Sequence, residues 1–261
     1  MKPSRSGTEF GTARMIERQM LLANTREKMV HENPAERPGL RHRFITISRD
    51  KGSLGDEISQ GLAQRLGWQV YDREILDYIA RNSHVRQELV EQLDEKAQTL
   101  VHDTIQRFLR MAEGGSFGIA EYYGSLVKTL AYLATRGEAI LIGRGANFVT
   151  RGEKLGLHVR ISASPDVRIQ RLSARWRIPP EEACWRMKEL DAQRRGFIRH
   201  HFRENIDDPR FYDLIYSTDN LTAEQVIDSL IGVVRASSRK PESAQIKAPA
   251  VAVATVDTRS A

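Results

Sequence analysis

Short apolar segments recur along the middle of the chain, and longer segments with helical periodicity separate them. The apolar segments predict five strands, at residues 44–48, 69–71, 139–142, 157–161 and 213–216. Their apolar residues are consecutive rather than alternating, as in strands that a parallel sheet buries on both faces. Strands and helices that alternate in this way predict a doubly wound α/β domain.

Start and stop signals bound the predicted helices. Gly67 ends the helix that follows the first strand, because glycine readily adopts the left-handed conformation found at helix ends. Ser164 suits the N-cap of a later helix, and Thr222 and Gln225 have capping-box spacing before the last one. Residues 73–136 show helical patterns only, so a helical insertion is predicted between the second and third strands.

The chain divides into three parts. Residues 1–43 are predicted to be a tail with a docking helix at about 13–30 and a linker at 31–43, and residues 44–235 are predicted to form the α/β domain. Residues 236–261 are rich in Ala, Ser and Pro and have few large apolar side chains, so this C-terminal tail is predicted to be disordered.

The net charge of +6 lies in the tails. Residues 1–43 have nine Lys/Arg and five Asp/Glu, and residues 236–261 have four and two, which leaves 27 of each for residues 44–235. A folded nucleic-acid-binding domain usually has a positive surface of its own. Nucleic acid is therefore an unlikely partner, and protein partners are unknown.

Other features indicate a cytoplasmic protein without a membrane span. No run of about 18 apolar residues is present, and the N-terminus has no apolar segment typical of a secretory signal. The one cysteine, Cys184, excludes an internal disulfide and fits a reducing compartment.

The segment FITISRDKGSLGDEISQGLAQRLG, residues 44–67, has the pattern of a strand, a glycine-containing loop and a helix. Such a turn aims backbone N–H groups and the positive end of a helix at one point, where phosphate oxygens bind. Glycines let the backbone approach a ligand closely. The residues predicted to bind a nucleotide are Lys51, Gly52, Ser53, Leu54, Gly55, Asp56 and Glu57.

This loop departs from the phosphate-loop signature G-x-x-x-x-G-K-[ST]. When residues 52–54 are aligned with the last G-x-G, the lysine position falls on Gly55, and two carboxylates, Asp56 and Glu57, follow. Carboxylates here repel a phosphate, and they also suit the first turn of an ordinary helix. An ordinary turn is therefore the alternative. A lysine introduced at position 55 is expected to leave the fold intact.

Two other strand ends have candidate ligand-binding residues. The segment ILIGRGANF places Arg144 and Asn147 after the third strand, at the sheet edge where α/β proteins bind ligands. The planar donors of arginine match a phosphate, and a surface arginine in a tight turn is the alternative. Asp72 follows the second strand and can accept hydrogen bonds from a base or a sugar, or cap the next helix.

Residues 160–203 contain eleven Lys/Arg against five Asp/Glu. Positioned cations stabilise a phosphoryl group during transfer, and a solvated, charged pair of helices is the alternative. The catalytic candidates in this segment are Arg168, Arg171, Asp191, Arg194 and Arg195. Trp176, Trp185 and Met187 are expected to be core residues.

Several motifs together resemble the cytidylate-kinase-like family of P-loop nucleoside monophosphate kinases. They are ITISRDKGSLGDEI, YDREIL, LIGRGANF, ISASPDVRIQRL, DAQRR and YDLIYSTDNLTAEQVI, in this order. The resemblance covers residues 44–235. It implies a P-loop kinase-type three-layer α/β fold with a five-stranded parallel sheet, a helical NMP-binding insertion at 73–136 and an arginine-rich lid at about 170–203.

The resemblance also implies a reaction, the transfer of the ATP γ-phosphoryl group to CMP or dCMP with Mg²⁺. It places the loop at 52–57 around the ATP phosphates, Asp72 and Arg144 on the acceptor side, and the arginines in the lid. Glu57 is the candidate Mg²⁺ ligand. The loop resembles the branch of the family that lacks the lysine. An active kinase is therefore one hypothesis, and a nucleotide-binding regulator without turnover is the second. A module that binds a phosphate ligand or RNA through the lid arginines is a weaker third.

Overall fold

The computed structural model describes residues 42–82, 98–99, 101–103, 105–106 and 117–235. The predicted docking helix, the linker up to residue 41 and the C-terminal tail from residue 236 lie outside these ranges.

The described residues form five strands and seven α-helices, in the alternating order that the sequence predicts. In chain order they are β1 (Phe44–Arg49), α1 (Gly55–Leu66), β2 (Gln69–Tyr71), α2 (Arg73–Arg81), α3 (Phe117–Arg136), β3 (Ala139–Ile142), α4 (Ala146–Thr150), β4 (Gly156–Ser162), α5 (Pro165–Trp176), α6 (Pro180–Phe202), β5 (Leu214–Ser217) and α7 (Ala223–Arg235). A short 3₁₀ turn, Pro209–Phe211, precedes β5.

All five strands are parallel and form one sheet in the order β2-β3-β1-β4-β5. The first strand is therefore central, with β3 on one side and β4 on the other. Parallel strands end at the same edge of a sheet, so the segments that follow β1, β3 and β4 meet there. The fold class predicted from the sequence is confirmed.

Helices cover both faces of the sheet, and successive residues of each central strand alternate between the two faces. Ile45 and Ile47 of β1 pack with the apolar sides of α1 and α7. Phe44 packs on the opposite face, with α2 and α3. This burial on both faces explains why the strands are continuous apolar runs in the sequence.

Most of the helix-boundary predictions are confirmed. Gly67 adopts the left-handed conformation at the end of α1. Before α7, the Thr222 N–H donates to Gln225 Oε1 at 2.9 Å, and the Gln225 N–H donates to Thr222 Oγ1 at 3.2 Å, so the capping box forms. Ser164 is at the N-cap of α5, but its hydroxyl makes no capping hydrogen bond within the described chain.

The expectation that all three large residues of the arginine-rich segment are core residues is wrong for Trp185. Met187 is buried and Trp176 packs beside it, in a small cluster between α5 and α6. Trp185 lies on the outer side of α6 with 65% of its surface exposed. The face of α6 that bears Met187 packs against α5, whereas the face that bears Trp185 is exposed to solvent, and the sequence alone does not distinguish these two faces.

Where the chain is described, the residues between 73 and 136 are helical apart from Asn82, which ends α2, and none is in a strand. Among the described helices, none is both long enough and apolar enough to cross a bilayer.

We predict that Gly145→Ala lowers the free energy of unfolding by about 2 kcal/mol or more. Gly145 has φ 71°, and an added Cβ would lie 2.2 Å from the ring of Phe202. Gly232→Ala is the matched control, because α7 leaves open space there and alanine should stabilise the helix by about 0.5–1 kcal/mol. Urea unfolding measures both changes, and a neutral Gly145→Ala would contradict the described packing.

Candidate phosphate-binding site at the carboxyl edge of the sheet

The loop between β1 and α1 turns sharply and ends at an uncapped helix. Gly52 has φ 87° and Leu54 has φ 62°, so both are in the left-handed region. Leu54 is the N-cap residue of α1, and no described side chain caps this end. The first N–H groups of an α-helix have no acceptor within the helix. The amides of residues 55–57 are therefore available to an anion.

Ser53 anchors this loop from below. Its side chain is fully buried, and its hydroxyl lies 3.0 Å from the carbonyl oxygens of both Asp50 and Ile161. Ile161 belongs to β4, so the loop is fastened to the neighbouring strand. The predicted binding residue Ser53 is thus in a supporting position, and its hydroxyl already contacts two acceptors.

Asp191 joins the loop to both arginine-bearing helices. Its side chain is 4% exposed, and it accepts the Lys51 N–H at 3.0 Å. Arg168 of α5 donates to its other oxygen at 2.5 Å, and Arg194 of α6 lies 3.2 Å from the first. A buried carboxylate needs such partners. The structure therefore brings three of the predicted site residues, Asp191, Arg168 and Arg194, together beside the loop.

Two of the predicted catalytic arginines hold the loop through its carbonyl groups. Arg168 lies 3.4 Å from the Lys51 carbonyl oxygen, and Arg171 lies 3.5 Å from that of Gly52. Arg171 also donates to the Thr218 carbonyl oxygen at 2.6 Å, which links β5 to the loop. In a trans peptide the next N–H points away from the carbonyl. The Gly52 N–H is therefore directed away from Arg168.

The remaining two arginine candidates differ in exposure. Arg194 has 27% of its side chain exposed and lies 3.4 Å from the Arg49 carbonyl oxygen. Burial, with the nearby charge of Arg49, lowers the pKa of the Arg194 guanidinium. Arg195 is exposed and pairs with none of the described residues.

Asp56 is surrounded by cations. Arg49 Nε lies 3.1 Å from one of its oxygens, and Lys51 Nζ lies 3.6 Å from the other. Burial alone raises the pKa of Asp56, but Arg49 and Lys51 outweigh it, and the net shift is downward. Asp56 is thus held in its charged form by the two cations of the loop, Arg49 and Lys51.

Glu57, the candidate metal ligand, faces the other way. Its carboxylate accepts a hydrogen bond from Arg175 of α5 at 2.6 Å, and both side chains are about half exposed. Among the described residues, no group of three or more His, Cys, Asp or Glu side chains could hold a metal ion. A metal at this edge would need oxygen ligands from a bound phosphate as well.

Arg160 is a site residue that the sequence analysis did not single out. It lies in β4 and is 5% exposed, and its guanidinium contacts Asp50 at 2.9 Å and Asp207 at 2.5 Å. Burial raises the pKa of Asp50, although Arg160 acts in the opposite direction. The signal was present in the sequence, since a charged residue within a strand buried on both faces requires a buried partner.

On the β3 side, Arg144 is engaged with α2. It has φ 52° between two left-handed glycines, as expected for a tight turn. Its Nε donates to Asp77 Oδ1 at 2.7 Å, its Nη2 donates to the second oxygen, and its guanidinium stacks over the Phe197 ring. A phosphate at Arg144 would therefore compete with Asp77, a partner that sequence reasoning missed.

Asp72 and Asn147 lie at the same edge with different surroundings. The Asp72 carboxylate accepts the N–H groups of Glu74 and Ile75, each at 3.0 Å, so the helix-capping alternative is confirmed. Asn147 is 6% exposed, and its buried Nδ2 donates to no described residue. A buried amide without an acceptor is costly, which makes Asn147 the stronger candidate for a ligand contact.

The sequence family follows from a comparison with known proteins. A model of the cytidylate kinase-like family matches residues 44–220, more than half of the chain. The chain belongs to the cytidylate kinase-like family. Within this cytidylate kinase-like chain, the matched region contains β1 to β5, the loop and both arginine helices. No curated protein matches the sequence.

Solved structures resemble this cytidylate kinase-like protein at low sequence identity. An uncharacterized protein from Eubacterium ventriosum is 18% identical with a TM-score of 0.57, over 74% of this chain and 98% of the other. Shikimate kinase from Bacteroides thetaiotaomicron is 16% identical with a TM-score of 0.37, over 72% and 95%. The first likeness supports the fold alone, and the second is too distant to carry an argument.

We predict that Asp191→Asn destabilises the protein by about 3 kcal/mol, because it leaves the buried Arg168 without a charged partner. The matched control is Asp228→Asn, which breaks an exposed pair with Arg65 and should change stability little. Urea unfolding at neutral pH compares them. Equal effects of the two substitutions would show that Asp191 is not the junction described above.

We predict that His201 titrates at about pH 4, because burial, His200 and Arg144 all disfavour its charged form and lower its pKa. Its ring nitrogen pairs with the Tyr123 hydroxyl. The unfolded chain takes up this proton near the ordinary value of 6.5, so stability falls as the pH drops from about 6.5 to about 4. Proton NMR of the ring measures the pKa. His201→Gln should remove this part of the pH dependence, and a midpoint near 6.5 would contradict the prediction.

Proposed function

We propose that the protein is a nucleoside monophosphate kinase that transfers the γ-phosphoryl group of ATP to CMP or dCMP. Membership of the cytidylate kinase-like family supports phosphotransferase chemistry on nucleotides. The observation that carries the proposal is the uncapped start of α1, whose first amides open toward a loop lined with cations. A helix start of this kind binds phosphate through main-chain groups.

In this proposal, the amides of residues 55–57 bind the ATP phosphates, with the Lys51 ammonium beside them. Phosphoryl transfer spreads negative charge over the equatorial oxygens, and fixed cations stabilise that charge. In the lid, Arg195 is exposed and Arg194 is partly exposed, so both guanidinium groups can approach a bound phosphate. Arg168 and Arg171 act mainly by holding the loop and the arginine helices together.

The carboxylates present fit a Mg²⁺ that is bound together with the nucleotide. Mg²⁺ usually takes one or two protein carboxylates, and its other ligands are phosphates and water. Asp56 lies on the cation-lined side of the loop and is the first candidate, whereas Glu57 would first have to leave Arg175. When bound there, the metal would supply positive charge that offsets the charge of the phosphates.

In this proposal, the acceptor nucleotide binds at the carboxyl ends of β2 and β3. The buried Asn147 amide supplies a donor that still lacks an acceptor, and Arg144 supplies a second cation if Asp77 releases it. Asp72 keeps one carboxylate oxygen that caps no helix amide, since both of its amide contacts use Oδ1.

A nucleotide-binding regulator without turnover is the second candidate. The loop has no lysine at its expected place, and its cations are paired with the protein's own carboxylates. Loss of one charged contact to the reacting phosphoryl group costs about 10²–10³ in rate. Such a protein would bind ATP and still turn over slowly.

Coupled ADP-release measurements separate these functions. We predict turnover with CMP and dCMP that exceeds turnover with UMP and AMP, and Arg194→Met should reduce kcat by about tenfold or more because a lid cation is lost. ATP binding by calorimetry runs in parallel on the same samples. Binding without turnover for any acceptor would support the regulator, and absence of ATP binding would contradict both functions.

A further inference from the structure

The loop has a cation where the phosphate-loop signature has its first glycine, and a glycine where the signature has its lysine. These two residues are Arg49 and Gly55. In the register that puts the lysine position at Gly55, the first glycine of G-x-x-x-x-G-K falls on Arg49. The same register puts Asp56 at the hydroxyl position. Relative to the signature, the glycine and the cation have therefore changed places, with the cation at position 49 and the glycine at position 55.

The structure shows that these two residues are also coupled in space. A Cβ added to Gly55 would lie 2.6 Å from Arg49 Cβ and 2.7 Å from its Cγ. The Cβ of Arg49 is fixed by its backbone and cannot move aside alone, and its Cγ can move only by a change of the χ1 rotamer. The stem of Arg49 thus fills the space where a lysine at position 55 would begin. This close approach argues against the expectation that a lysine at position 55 leaves the fold intact.

The Arg49 side chain continues from Gly55 toward the acceptor side. Its Nη1 lies 3.1 Å from where a Cβ would stand at Gly143, the first residue after β3. Arg49 Nε contacts Asp56, while its two terminal nitrogens donate to no described residue. The guanidinium therefore lies between the two turns that line this edge, with two donors available.

We infer that Arg49 supplies the positive charge that the loop lacks at position 55 and contacts the terminal phosphates of the bound nucleotide. This inference rests on the proposed function. Asp56 holds the guanidinium in place before the nucleotide binds, and a phosphate then occupies the free donors. Arginine suits this role because its planar donors match phosphate oxygens.

Arg49→Met tests the inference by binding alone. We expect about ten- to hundredfold weaker binding of both ATP and inorganic triphosphate, because a charge-assisted contact is lost. Arg65→Met is the matched control, since Arg65 also forms ion pairs but on the far side of α1, with α7, and it should leave both affinities unchanged. Calorimetry measures the dissociation constants of both ligands for the two variants and for the unsubstituted protein.

Lys51→Met separates the two cations that approach Asp56. If Lys51→Met abolishes triphosphate binding while Arg49→Met behaves like Arg65→Met, the inference is overturned and the proposed function stands. If the unsubstituted protein binds neither ATP nor triphosphate, the proposed function fails as well. The two failures are therefore distinguishable.

Restoring the ordinary signature provides a second test. Gly55→Lys alone should lower the melting temperature, because its side chain meets Arg49. The double variant Arg49→Gly/Gly55→Lys should melt above Gly55→Lys and bind triphosphate at least about tenfold more tightly than Arg49→Gly. Additive effects of the two substitutions, in stability and in affinity, would show that the residues do not exchange roles.

Discussion

The buried carboxylate of Asp191 joins the loop after β1 to the two arginine-bearing helices, which also pack on each other through a small apolar cluster. Asp191 is in α6, and its carboxylate accepts hydrogen bonds from the Lys51 N–H of the loop, from Arg168 of α5 and from Arg194 one turn further along α6. Because it is buried, these contacts are costly to break singly. Together with the contacts of Arg168 and Arg171 to the loop carbonyls, this group sets the position of the loop relative to the arginine helices, and the rest of the site depends on that position.

The arginine-rich segment consequently has a different role from that of a free positive surface. Arg160 and Arg168 are almost fully buried and neutralised by Asp50, Asp207 and Asp191. These pairs fix the end of β4 and the loop in one geometry. Three partly exposed cations, Arg49, Lys51 and Arg194, converge near Asp56 at the start of α1. The buried arginines thus stabilise the structure of the sheet edge, and the partly exposed cations line its surface.

The strands could be predicted from the sequence to within a residue or two, because a short run of consecutive apolar residues is the pattern of a strand that a parallel sheet buries on both faces. Caps at Gly67 and Thr222 were also predictable, since these signals act over three or four residues. The contact of Arg49 with Gly55, the pair of Arg144 with Asp77 and the exposure of Trp185 were not. Each depends on how separate elements pack, which local patterns do not encode.

The missing lysine remains the central feature of this family member. A loop without it still has an open helix start, and the arginine that crosses Gly55 brings a charge to the same side. In this explanation, position 55 is a glycine because the Arg49 side chain leaves no room for a larger residue there, and the site has not lost its cation. It also explains why carboxylates are tolerated at the first turn of α1, where Asp56 orients the cations before the ligand arrives.

Amide chemical shifts of a nitrogen-15-labelled sample, titrated with ATP and separately with adenosine, test this account most directly. The account predicts large shifts for the amides of residues 52–57 with ATP and none of comparable size with adenosine. If ATP shifts amides elsewhere and leaves those of the loop and the start of α1 unchanged, the carboxyl edge is not a phosphate site and the account is wrong.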